Sequence, residues 1–203
     1  MEVSNIRSEK SDATRAALIE SARRLFGSAS YAEVSLDQIT QASGVTKGAL
    51  YHHFPGGKKD LMEAVYEQVE AEFTQMITDE LLPSIGQDGL GPLDVMEQAI
   101  AVTLEASLDP ELQQIVLIDA LSVLGWAHWR QIADDHSLGL VKALLSAACE
   151  SGSMKPLPTD TLANLLMAAL SQSMLMVGQA EDKAAAKEEA GETMKALIDG
   201  LRA

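Results

Sequence analysis

Apolar residues recur along this chain at helical spacing from Asp12 to the end, and nowhere at the alternating spacing of a half-buried strand. Leu18, Ala22 and Leu25 form an i, i+4, i+7 row, with Ile19, Ala22 and Phe26 beside it, which predicts a first helix ending near Ser28. Ahead of it, residues 1–11 (MEVSNIRSEKS) are polar and aperiodic and read as a flexible arm. In Ser35-Leu36-Asp37-Gln38 a serine precedes a glutamine by the spacing of a capping box, predicting a second, short helix that Gly44 ends near Ser43. Thr46 caps a third helix through Phe54, and Pro55-Gly56-Gly57 breaks it. A fourth starts at Lys58 and carries Leu61, Val65, Val69 and Phe73 at four-residue steps toward Leu82. Beyond a Gly- and Pro-containing linker at 87–92, further helices are expected near 93–108, 110–124, 126–151, 159–179 and 182–202. The expected fold is all-α with about nine helices: a helix-turn-helix unit at 12–57 and a larger helical domain at 58–203.

Composition agrees with a globular chain: 203 residues, 47% hydrophobic and 22% charged, with one cysteine and therefore no intrachain disulfide. Cys149 reads as a small buried hydrophobe. The net charge of -15 argues at first against a polyanionic partner, but the distribution does not. Residues 1–60 carry eight Lys and Arg against seven Asp and Glu, whereas 61–203 carry seven against twenty-three, so the first segment is set apart for a different partner. The stretch 161–180 has no charge and the length of a membrane span, yet seven of its twenty residues are Thr, Asn, Ser, Gln or Gly, and acids flank it. A helix buried between protein surfaces fits it better, and no membrane partner is expected. Without an apolar h-region after Met-Glu-Val-Ser-Asn, the default expectation is cytoplasmic.

The candidate chemistry lies in the third helix. Val45, Leu50 and Phe54 can face the first helix, leaving Lys47, Gly48, Tyr51 and His52 on one outer face. Gly48 and Ala49 let the backbone approach a partner closely, and Tyr51 and His52 offer donors on stiff stems. Lys58, at the start of the next helix, adds a cation where the helix dipole already favours an anion. Phosphate oxygens satisfy this arrangement, and in a helix-turn-helix the second helix of the pair enters the major groove. No metal or other cofactor is expected: His52 and His53 point about 100° apart on a helix, and Asp134-Asp135-His136 lies in a charged stretch that reads as a solvated face. No activated Ser or Cys and no phosphate loop after a strand is present, so the chain does not read as an enzyme.

The run from Thr14-Arg15 through Ala22, Leu25-Phe26, Tyr31, Ser35, Ile39, Ala42-Ser43-Gly44-Val45-Thr46-Lys47-Gly48-Ala49-Leu50-Tyr51-His52-His53-Phe54 and Pro55-Gly56-Gly57-Lys58 to Leu61 resembles the DNA-binding signature of the TetR family of transcriptional regulators. The resemblance implies that Thr46, Lys47, Tyr51, His52 and Lys58 contact phosphates or bases. It further implies that Gly48 and Ala49 approach the groove floor, and that Ser35 holds a phosphate from the start of the second helix. Two positions depart from the family pattern: Ser30 stands where a glycine is usual and Thr40 where an alanine is. Residues 117–129 resemble, more loosely, a recurring segment of TetR effector domains, and Met96, Trp126, His128, Trp129 and Met167 are candidate walls of a pocket for a small, largely apolar effector. The two apolar helices at the end of the chain suggest an isologous four-helix dimer interface. Leu162, Leu166, Leu170, Met174, Met194, Leu197 and Leu201 are its candidate residues, and charge at Leu166 and Leu170 is expected to yield a monomer. The function implied is a homodimeric repressor of a palindromic operator, released or engaged by a small-molecule effector. The alternative is a helical small-molecule sensor or carrier that works through protein contacts without sequence-specific DNA binding.

Overall fold

The computed structural model describes residues 2–87 and 89–203, with side chains from Glu9 onward, and its elements follow the expected order. They are α1 (Glu2–Ser28), α2 (Leu36–Ser43), α3 (Lys47–His53), α4 (Lys58–Glu80), α5 (Pro92–Ala106), α6 (residues 110–124), α7 (Trp126–Glu150), α8 (Thr159–Gln179) and α9 (Lys183–Asp199). A short 3-10 turn at Leu82–Ser84 follows α4. Within α6, only Pro110–Leu112 and Leu121–Leu124 are α-wound, and the eight residues Gln113–Ala120 between them are π-wound. Of the arm expected over 1–11, Met1 and the side chains of 2–8 lie outside the described residues, and the backbone of 2–11 is helical, forming the start of α1.

The chain forms two compact units, Met1–Gln68 with Gln114–Trp129, and Val69–Gln113 with Arg130–Ala203. These units do not coincide with the division expected at residue 57: by contacts, the first eleven residues of α4 and the segment 114–129 group with the helix-turn-helix. Periodicity identified these helices but carries no information about which distant segment each packs against.

In the first unit Leu18, Ala22 and Phe26 of α1 are buried along with Ile39 of α2, Leu50 of α3 and Leu61, Met62 and Val65 of α4. Both departures from the family pattern find local partners. At Ser30 the hydroxyl and backbone N–H donate to the Glu33 carboxyl (2.8 and 3.2 Å) while the Ser30 carbonyl accepts from Glu33 and Val34 N–H (3.0 and 3.3 Å). These bonds hold the Glu33 carboxyl below its ordinary pKa and close the turn by side-chain hydrogen bonding. Thr40 is buried, and its hydroxyl donates to the Asp37 carbonyl at 3.1 Å.

The second unit encloses a core of Leu93, Met96 and Leu104 from α5, Leu144, Leu145 and Ala148 from α7, Leu166 from α8 and Met194 from α9. Two members of the expected dimer row belong to this core. Leu166 and Met194 lie inside the protomer, with Leu162, Leu170, Met174 and Leu201 packed half-buried against the same core, and Leu197 alone of the seven is exposed. Helix α8 is apolar on two faces, so periodicity could not say which faced inward. The outward one carries Leu165 and Met176, 63% and 59% exposed.

The end of the chain is pinned to α5. Arg202 donates to Asp94 (2.8 Å) and Asp199 (3.1 Å) and pairs with Glu97, while the Asp94 carboxyl also accepts from Gly91 N–H at 2.7 Å. The Gly91 N–H, and after it Arg202, hold Asp94 below the ordinary aspartate pKa. A lowered folded-state pKa adds stability that is fully present above the unfolded value, near 3.9, and is lost as pH falls from there through the folded-state pKa. Acid unfolding below about pH 5 is therefore expected to be less steep in Arg202→Ala than in the parent chain, and parallel pH profiles of thermal midpoint would contradict the linkage.

Candidate nucleic-acid interface

Three consecutive caps fix α2 and α3. Gln38 N–H donates to Ser35 Oγ (3.2 Å) and Ser35 N–H to Gln38 Oε1 (2.7 Å), the reciprocal pair that starts α2. Gly44 ends it with φ 68°, a left-handed conformation that strains any residue with a Cβ, and Val45 N–H reaches back to the Thr40 carbonyl (3.1 Å). Two residues later Thr46 accepts from Ala49 N–H at 3.3 Å and opens α3. Leu50 and Phe54 are buried, which turns the opposite side of this seven-residue helix outward.

That side is the expected one. Thr46, Lys47, Gly48 and His52 are exposed, Tyr51 is 51% exposed, Ala49 is half-buried, and Ser35 is exposed at the start of α2. Lys47 pairs with Asp37, whose hydrogen bond raises the lysine pKa and keeps it charged. Exposed pairs of this kind contribute little in water, so an incoming phosphate can take the lysine over. The tight turn after α3 seats Tyr51: Gly57 has φ 67°, and a Cβ there would meet Leu36 Cδ1 and Tyr51 Cε1, each at 3.4 Å.

Lys58 departs from its expected role. Its ammonium donates to the carbonyls of Tyr31 (2.7 Å) and Val34 (2.8 Å) and lies 4.1 Å from the centre of the Tyr31 ring. Two of its three hydrogens are thus engaged within the chain, and it ties the α1–α2 turn to the first residue of α4. The neighbouring Lys59 is exposed. Another anchor of this turn escaped the sequence reading: the Tyr31 N–H donates to the buried Asp119, 88 residues away (2.8 Å). No local pattern could reveal a bond of that span.

The candidate pocket residues are divided. Trp126, His128 and Trp129 fall in the first unit, where Trp129 stacks on both Trp126 and Tyr66 (ring centres 5.4 and 6.0 Å) and His128 Nε2 lies 3.0 Å from Glu63. Met96 and Met167 are buried in the second unit. The second unit also has a groove of about 470 Å³ between α5 and α9, where Asp94, Glu97, Ile100 and Lys195 are among its walls, and none of the five expected residues lines it.

A capped helix pair whose second helix presents a short, small-residue face with a cation has the arrangement of a helix-turn-helix DNA-binding unit. Residues 18–65 match the family model described as "Bacterial regulatory proteins, tetR family", and 93–201 match "Tetracyclin repressor-like, C-terminal domain". The chain is 31% identical to the Transposon Tn10 TetC protein of Escherichia coli over 82% of its own length and 81% of that protein's. Over 58 residues, 28% of this chain and 31% of that protein, it is 47% identical to the HTH-type transcriptional regulator LmrA of Bacillus subtilis. A solved TetR-family transcriptional regulator from Pectobacterium atrosepticum superposes with a TM-score of 0.82 at 30% identity, covering 96% of each chain. The chain belongs to the TetR family and is a ligand-responsive transcriptional regulator.

Lys58→Met keeps the aliphatic stem and removes both carbonyl bonds. It is expected to lower unfolding free energy by about 1–2 kcal/mol in denaturant titration; an unchanged midpoint would return Lys58 to a surface role.

Proposed function

We propose that the chain is a homodimeric, cytoplasmic repressor that places α3 of each subunit in successive major grooves of a palindromic operator and responds to a small, largely apolar effector. Gly48 carries this reading. A glycine inside a helix costs about 1 kcal/mol relative to alanine, and here no left-handed backbone and no neighbour explains it: a Cβ at Gly48 would touch nothing within 4 Å. The missing side chain makes room for something outside the chain. With Lys47, Tyr51 and His52 around it, a groove edge fits that space.

Two half-sites about 34–36 Å apart require a dimer. Supporting one is the apolar surface that a single chain leaves open: Leu165 and Met176 on α8 and Leu197, 48% exposed, on α9. Within the apolar window of α8 only 33% is buried. The stacked Trp126 and Trp129 with His128 remain the proposed effector contacts in the first unit. Helix α4, which carries the chain from one unit into the other, is the proposed route by which the effector's differential affinity shifts the DNA-binding state.

Selection of bound fragments from sheared genomic DNA of the source organism is expected to return one palindromic site, and no enrichment by folded dimer would overturn the reading. On that site Gly48→Ala separates the two demands on α3. It is expected to raise thermal stability slightly, by up to about 1 kcal/mol, while weakening operator binding; equal or tighter binding would remove the argument from Gly48. Leu165→Glu is expected to give a folded monomer in sedimentation velocity, and a persistent dimer would place the interface elsewhere.

A further inference from the structure

Asp119 sits where α6 meets the turn between α1 and α2. It is 6% exposed, and its Oδ2 accepts from two donors, the Tyr31 N–H (2.8 Å) and Gln114 Nε2 (2.9 Å). Gln114 and Asp119 are five residues apart in the π-wound segment Gln113–Ala120. In π winding residue i bonds residue i+5, so side chains five apart come onto one face. At roughly 100° per residue, five α-helical steps leave them about 140° apart. The Gln114–Asp119 bond therefore belongs to the π-wound form, and α winding of the same residues would break it and turn Asp119 away from Tyr31. The turn it holds is the one whose carbonyls bind Lys58, and Ser35, the cap of α2, follows directly. π segments in otherwise α-helical stretches are rare and are frequently found at functional sites.

We propose that Asp119 is a positioning residue for DNA recognition: oriented by Gln114 in the π-wound segment of α6, it latches the Tyr31 turn and so fixes α2 and α3, and return of the segment to α winding opens the latch. The inference rests on the DNA-binding reading above and adds the element through which α6 acts on it. Asp119 itself does not touch DNA in this scheme. Its effect passes through the backbone N–H of Tyr31.

Two readouts test it on the full-length chain. One is amide hydrogen exchange at Tyr31 by NMR, and the other is affinity for the operator fragment recovered by the genomic selection. In Asp119→Ala, Tyr31 exchange is expected to accelerate by about tenfold or more, as local opening of a single latch requires, and operator affinity to fall by about the same factor. Asp119→Asn keeps a side-chain oxygen in the same place and is expected to restore both. Gln114→Ala leaves Tyr31 and Asp119 intact, removes only the orienting bond and is expected to lie between them, which keeps the test open if Asp119→Ala does not fold. Unchanged Tyr31 exchange in Asp119→Ala or Gln114→Ala, or faster exchange with unchanged operator affinity, overturns the latch. Failure of the parent chain to bind any fragment is a different result and removes the DNA-binding reading itself.

Discussion

Helices of eight and seven residues do not persist alone in water, so everything this chain does with DNA depends on what holds α2 and α3 in place. Three devices share the task. Side-chain caps at Ser35 and Thr46 and the left-handed backbone of Gly44 satisfy the helix ends. Burial of Ile39, Leu50 and Phe54 fixes which sides face inward. A polar anchor then ties the preceding turn to two distant segments, Lys58 through the carbonyls of Tyr31 and Val34, and Asp119 through the Tyr31 N–H. The caps act within a few residues, whereas the anchor joins positions 27 and 88 residues apart. That difference lets the anchor, unlike the caps, carry a change far along the chain toward the recognition helix, alongside the packed side chains of the same unit.

The same distinction explains what could be read from the sequence. Short-range chemistry was legible: the Ser35–Gln38 spacing, the glycine at 44, Thr46 ahead of α3 and the outer face of Lys47, Gly48, Tyr51 and His52 all stand in the structure as the pattern implied. Lys58 was misread because position at a helix start suggests an anion partner, while the carbonyls it binds belong to a turn that sequence neighbours do not include. Leu166 and Leu165 illustrate a second limit. Both lie on an apolar helix, and adjacent positions on it point to different surroundings, so only the packing of α5, α7 and α9 decides that one is core and the other exposed. The π winding of α6 left no mark in the residue pattern that a helical period of 3.6 would detect.

Electrostatics fits a reader of DNA with a repulsive bulk. The acidic excess lies beyond residue 60 and disfavours indiscriminate association with a polyanion, so binding must rest on a few cations carried by the helix-turn-helix. Lys47 is held ready by Asp37, charged yet only weakly engaged. The central claim is that α3 meets the phosphates and bases directly. It is tested most directly by the salt dependence of operator binding, measured for the parent chain and for Lys47→Ala. The account predicts a steep linear fall of log affinity with log salt in the parent, and in the variant a slope shallower by about 0.9 for each phosphate that Lys47 neutralises. Identical slopes for the two proteins would contradict it.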